Sequence, residues 1–187
     1  MTAATLPSMT TTWTIDPTHS LVEFSTKHMM ITTVKGRFTD VQGTITTNEQ
    51  DPAQSGAEVT IATASITTGT DARDEHLRSA DFFDAARFPA LTFRATRVEG
   101  SPRAPGDEFV VVGDLTVRDV TREVRLDATF EGTGRDPWGN EKASFSAVTK
   151  IDRRDFGLTW NAALETGGML VSNDIRIAIE VQAVKSA

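Results

Sequence analysis

Toward the C-terminus, Val171, Asn173, Ile175, Ile177, Ile179 and Val181 share one parity, while Ser172, Asp174, Arg176, Glu180 and Gln182 take the other. Alternation with period two predicts a strand with one dry face and one wet face. Ala178 is the neutral exception on the wet side. The pattern recurs in Val124-Leu126-Ala128-Phe130, in Phe145-Ala147-Thr149-Ile151, in Val22-Phe24-Thr26-His28 and in Leu91-Phe93-Ala95. Val148 breaks the polar side of its segment. Between 34 and 47 the apolar parity flips, from Val34-x-Gly36-x-Phe38 to Val41-x-Gly43-x-Ile45. One inserted residue produces such a flip, so a β-bulge is expected near Thr39-Asp40. Residues 57–66 and 108–118 complete about eight strands.

Residues 70–87 read differently. Thr70-Asp71 can start a helix, and Asp71, Asp74 and Glu75 place acid in its first turn, complementing the macrodipole. Residues 79–84 are expected to add a second short helical turn, and Pro89 returns the chain to strand. The segments 100–106 and 132–140, rich in Gly, Pro, Asp and Asn, read as turns. The strands expected at 33–48 and 168–184 approach fifteen residues, long for a sandwich. The predicted class is all-β: an elongated antiparallel barrel of about eight strands, closed so that no sheet edge is left, with a helical insertion near 70–88.

Composition narrows the function. The chain has 187 residues, with 19 Lys+Arg against 26 Asp+Glu, for a net charge of −7. One domain is expected over 13–187, after a Thr-rich start at 1–12 that frays. The acidic balance argues against nucleic acid, which demands a basic face. Arg153-Arg154 is the one tight basic pair, and Asp152 and Asp155 flank it. Absence of Cys excludes disulfides, thiolate metal sites and thiol nucleophiles. His19, His28 and His76 show no metal-ligand spacing, no Gly-x-Ser-x-Gly elbow occurs, and Tyr is absent. No enzyme and no metal is therefore expected. The opening residues carry neither the basic nor the apolar region of a secretory signal, and no apolar run approaches a membrane span. A soluble cytoplasmic protein without stable membrane insertion is expected. Phe24, Phe38, Phe93, Phe130 and Phe145 fall on predicted dry faces, and Phe82, Phe83 and Phe88 cluster around the insertion. Those aromatics fit either a packed core or a lined cavity.

Longer motifs carry a resemblance. Trp13-Thr-Ile-Asp16-Pro17-Thr-His19-Ser20-x-Val22-x-Phe24-x-x-x-His28 and Val34-x-Gly36-x-Phe38 resemble the opening of the YceI-like family. Arg73-Asp74-x-His76-Leu77-Arg78-Ser79-x-Asp81-Phe82-Phe83-Asp84 and Phe88-Pro89-x-Leu91-x-Phe93 are similar to its central signature. Gly113-Asp-Leu115-Thr-Val-Arg118 and Arg153-x-Asp155-Phe156-Gly157 resemble its later blocks. The resemblance implies a lipocalin-like barrel holding a polyisoprenoid or isoprenoid quinone non-covalently, with no covalent cofactor.

The expected function is non-enzymatic binding, storage or transport of such an amphiphile. An enzyme working on an isoprenoid lipid at the channel mouth, or a ligand-free stress or assembly module, are the alternatives. A homodimer stays open. The expected tunnel, of at least ~300 Å³, is lined by Phe24, Phe38, Phe93, Leu115 and Phe145. His28 and Phe156 join the candidate ligand contacts, and Arg73 and His76 are expected to meet a polar headgroup. The insertion is expected to act as the lid, with Phe83 touching the ligand.

Overall fold

Branched and aromatic side chains on one parity draw most of the chain into strands, whose ladder pairs every backbone group that the dry face cannot hydrate. The computed structural model describes residues 10–186. Its strands are β1 (Thr10–Ile15), β2 (Leu21–His28), β3 (Thr32–Phe38), β4 (Val41–Asn48), β5 (Gly56–Ala62) and β6 (Ile66–Thr67). After the helix α1 (Asp71–Arg78) come β7 (Ala90–Glu99), β8 (Glu108–Val117), β9 (Val120–Arg135), β10 (Glu141–Asp152) and β11 (Asp174–Lys185).

Eight strands close a ring in the order β1-β4-β5-β7-β8-β9-β10-β11, and β11 returns to β1 through Trp13↔Lys185 and Ile15↔Ala183. All pairings are antiparallel, so the expected closed barrel is found. Past a 3₁₀ turn capped by Asp16, the chain continues as β2 along the same β11, from Leu21↔Glu180 to Ser25↔Arg176. Strands β2, β3 and β6 thus raise one side of the wall at the end that carries α1.

Several local expectations change. The long strand at 33–48 is two strands, and Thr39-Asp40 is a break between them. Strand β3 pairs with β6 and β4 with β5, so the two halves follow partners that are themselves separated by a 3₁₀ turn at Thr63–Ser65. Thr39 bonds Ser65 instead of a ladder. The register shifts lie elsewhere, between Ala95 and Arg97 on β7 and opposite Ser144/Phe145. The last strand starts at Asp174, because 157–173 forms a loop whose one ladder bridge to a strand is His28↔Val171. Residues 79–84 form hydrogen-bonded turns, with Asp84 at φ 49°, and not a second helix. Within the segment expected to fray, Thr10–Thr12 pair with Asn48–Thr46 of β4, and residues 1–9 lie outside the described residues. Among the described residues no helix is long and apolar enough to cross a membrane.

Candidate functional site: a capped apolar chamber

Inward residues of β2, β3, β4, β5, β7, β8, β9, β10 and β11 enclose a chamber of about 210 Å³ at the end that carries α1. Four expected residues, Phe24, Phe38, Phe93 and Leu115, line it from the strands. Their shared parity is the reason: each stands on the dry face of its strand. Phe24 and Phe38 meet at a tilt of 51° with 5.8 Å between ring centres, and Phe83 meets Phe38 edge-on, also at 5.8 Å. Two glycines seat the rings. The Phe24 ring lies over Gly36, its cross-strand partner, and the Phe93 ring lies over Gly113.

A second chamber of about 150 Å³ continues toward the other end, lined by Ile45, Val98, Phe109, Val111 and Phe145 among others. Phe145 therefore belongs to this chamber, where it packs on Phe130 and Phe109. Val59, Phe93, Ile179 and Val181 border both spaces. In place of the expected tunnel of at least ~300 Å³, the interior holds two smaller chambers with these four residues as their common border. Larger hollows of about 520 and 310 Å³ touch Lys35, Lys150 and Arg176, or Glu131, Arg135 and Asp136. Both carry charged side chains on their walls, although the larger also touches Phe24, Val148 and Ile177.

The insertion caps the upper chamber. Leu77, Phe82 and Phe83 face it, and Phe82 is buried. What holds the cap is polar. Asp74, 4% exposed, accepts from the Thr68 amide (2.7 Å), the Thr68 hydroxyl (2.6 Å) and the Thr67 hydroxyl (2.9 Å). Burial pushes its pKa up, but the Thr68 and Thr67 bonds outweigh burial and hold the carboxyl below its ordinary range. Arg78 donates to the Ala64 and Ile66 carbonyls at 2.9 and 2.8 Å. The Thr70 side chain, expected as an N-cap, makes no cap bond and accepts from Arg73 instead.

Three of the expected polar contacts stand outside the chamber. Arg73 spends its guanidinium on the Thr68 and Thr70 hydroxyls. His76 pairs with Asp81 at 2.9 Å and stands edge-on to Phe82 and Trp160 at 5.0 and 4.7 Å. His28 sits at the rim, bridged to Val171. Two charged residues line the wall, Glu23 of β2 and, at the edge of the 157–173 loop, Arg153. Arg153 is 4% exposed and donates to the carbonyls of Ser172 (3.1 Å), Leu158 (2.7 Å) and Trp160 (2.8 Å), leaving Nη2 buried with no partner. Burial lowers its pKa, with Asp152 opposing. Arg153 thereby fixes the 157–173 loop, while its neighbour Arg154 turns outward to Asp152. Residue type and charge do not distinguish the buried member of the pair; only the motif Arg153-x-Asp155-Phe156-Gly157 singles out Arg153. Phe156, 2% exposed, completes the wall as expected, beside Leu158.

Comparisons with known proteins agree with this geometry. The YceI-like domain matches residues 13–183. Protein YceI of Escherichia coli O6:H1 is 40% identical over 162 residues, covering 87% of this chain and 81% of that protein. The crystal structure of Burkholderia cenocepacia BcnA superposes with a TM-score of 0.76 at 24% identity, covering 90% of this chain and 99% of that one. A polyisoprenoid binding domain from Saccharophagus degradans, implicated in plant cell wall breakdown, gives 0.69 at 17% identity, covering 93% and 98%. These last two likenesses establish the lipocalin-like fold.

Proposed function

Since the chain belongs to the YceI-like domain family, we propose that it is a non-enzymatic carrier. It takes one polyisoprenoid, isoprenoid quinone or similar amphiphile, without a covalent cofactor, into the paired chambers of the barrel. The observation that carries this reading is the upper chamber. Strand residues wall it, three apolar side chains of the insertion cap it, and Arg73 and His76 of the insertion are engaged elsewhere. A polyisoprenoid binding domain of the same fold supports the choice of ligand.

The physics favours a thin flexible chain. Apolar burial gives about 25 cal/mol per Å², so a cargo of methylenes and methyls binds by area alone and needs no polar anchor. A narrow flexible chain suits chambers of this size, and filling both requires it to pass the common border of Val59, Phe93, Ile179 and Val181. Each added isoprene unit is worth at most about 4 kcal/mol at 0.8 kcal/mol per buried carbon. Affinity should therefore climb along geraniol, farnesol and geranylgeraniol until both chambers are full. The test is organic extraction of purified protein followed by mass spectrometry, with titration of that alcohol series. An isoprenoid in the extract and a chain-length-dependent affinity are expected. A lipid-free extract together with no uptake of any alcohol would refute the reading.

A further inference from the structure

Six large apolar side chains are conspicuously exposed among the described residues, and four of them gather at one place. Met29 (42% exposed), Met30 (66%) and Ile31 (76%) form the tip between β2 and β3, and Met169 (52%) stands on the adjoining loop. The Met29 amide donates to the Leu170 carbonyl at 2.7 Å, tying tip to loop. Trp138, in the β9–β10 turn, lies at the opposite end of the barrel.

The backbone of the tip is unusual for its sequence. Met29 and Met30 have φ 51° and 62°, and the Ile31 amide closes the turn on the His28 carbonyl at 3.2 Å. Two successive left-handed residues are the pattern of a type I′ turn, which Asn-Gly satisfies with least strain. Two methionines there add strain and expose apolar surface, so fold stability does not account for them. The tip also adjoins the chamber. Thr26, two residues before His28, and Val171, which bridges His28, both line the chamber wall.

We propose that this tip is a bilayer-docking element, which touches a membrane surface beside the place where cargo enters or leaves the barrel. Four side chains on a convex turn are too small a surface for a stable protein partner, which needs about 800 Å² on each side. Unbranched, polarizable methionines suit a fluid acyl boundary better than a shaped protein pocket. Exposed Lys27 and Lys35 flank the tip at the headgroup level. The contact is peripheral and inserts only the tip. Its role in loading rests on the carrier reading, but docking itself does not.

Because the chain has no Cys, a single introduced thiol labels one site. Met30→Cys and Trp138→Cys, each carrying an environment-sensitive dye, are mixed with phosphatidylcholine vesicles, with and without added phosphatidylserine. A blue shift and at least a tenfold stronger response at position 30 than at 138 are expected. The double variant Met29→Asn/Met30→Gly should bind vesicles at least tenfold more weakly while melting at a higher temperature than wild type. Equal responses at the two labels, or undiminished vesicle binding by the double variant, would overturn the proposal. So would a concentration-dependent dimer that the double variant abolishes, since the tip would then serve a second copy of the chain. Loss of vesicle binding beside an isoprenoid-containing extract would leave the carrier reading intact.

Discussion

Gly36 offers the sharpest separation of cargo binding from folding. A Cβ placed there would lie 2.3 Å from Phe24 Cζ and under 3 Å from both Cε atoms. Ordinary carbon contact is about 3.5–4.0 Å, so in Gly36→Ala the ring must recede by roughly 1.2–1.7 Å. The chamber that Phe24 lines offers space for that move. Overpacking would cost about 1–3 kcal/mol, offset by about 0.4–1 kcal/mol from the stiffer unfolded chain, so net destabilisation should stay within about 2 kcal/mol. A ring that takes the place of two or three cargo methylenes removes about 2 kcal/mol of binding, or about 30-fold in Kd. Gly113 is the control. Its Cβ would strike the Arg94 carbonyl oxygen at 2.5 Å as well as the Phe93 ring, and a ladder carbonyl cannot step aside. Gly113→Ala should therefore destabilise the barrel by about 3 kcal/mol or more. Urea unfolding and titration with a fluorescent farnesyl analogue measure both quantities. Gly36→Ala with wild-type affinity, or Gly113→Ala with wild-type stability, would refute the assignment of these glycines as ring seats.

Other outcomes follow from the cap and its tethers. Phe83→Asp puts a charge on the apolar underside of the cap, so cargo recovery should fall at least tenfold while far-UV circular dichroism keeps its strand signature; equal recovery would move entry to the 136–140 turn or to Gly167-Gly168. Asp74→Ala strands the Thr68 amide and two hydroxyls and should cost about 3 kcal/mol in urea unfolding. Because the Asp74 carboxyl is held below its ordinary range, its contribution is complete above the unfolded value near ~3.9 and fades as pH falls through the lowered folded value. Asp74→Asn should therefore lose stability at neutral pH and show a weaker acid dependence below about pH 4, read from denaturant midpoints across pH. Arg153→Met removes the donor of the Leu158 and Trp160 carbonyls and one of two donors to the Ser172 carbonyl, and should cost about 3 kcal/mol, with amide exchange accelerating across 157–173.

Much of this architecture was legible from parity. Phe24, Phe38, Phe93 and Leu115 reach the upper chamber because each occupies a dry position in a two-residue repeat, and period two survives any tertiary context that keeps the strand paired. The insertion was legible because acid-rich 70–78 breaks that period. What parity cannot carry is register. The split at Thr39-Asp40 arises because β3 and β4 follow different partners, and the shifts beside Ala95 and opposite Ser144/Phe145 depend on the facing strand. Arg73 and His76 looked like headgroup ligands because they share the insertion with Phe82 and Phe83. Helical geometry turns them instead to Thr68, Thr70 and Asp81, and the buried cation comes from a loop where two arginines read alike in type and charge.

Whether the barrel is hollow was a further step removed, because a cavity is the difference between what the strands enclose and what the side chains fill. Eight strands leave room that ordinary apolar residues can occupy fully. Here two glycines change how that room is used. The outer ring atoms of Phe24 and Phe93 occupy the space that a Cβ would take at Gly36 and Gly113. A larger residue at either position would stand the ring up into the interior. The volume of the upper chamber is therefore set by a cross-strand relation, aromatic over glycine, and it becomes readable only once Phe24↔Gly36 and Ala95↔Gly113 are known to be paired. The same relation places Phe93 on the common border, since the residue whose ring approaches Gly113 lines both chambers. Capacity and subdivision of the barrel then share one physical origin, which the two glycine substitutions separate.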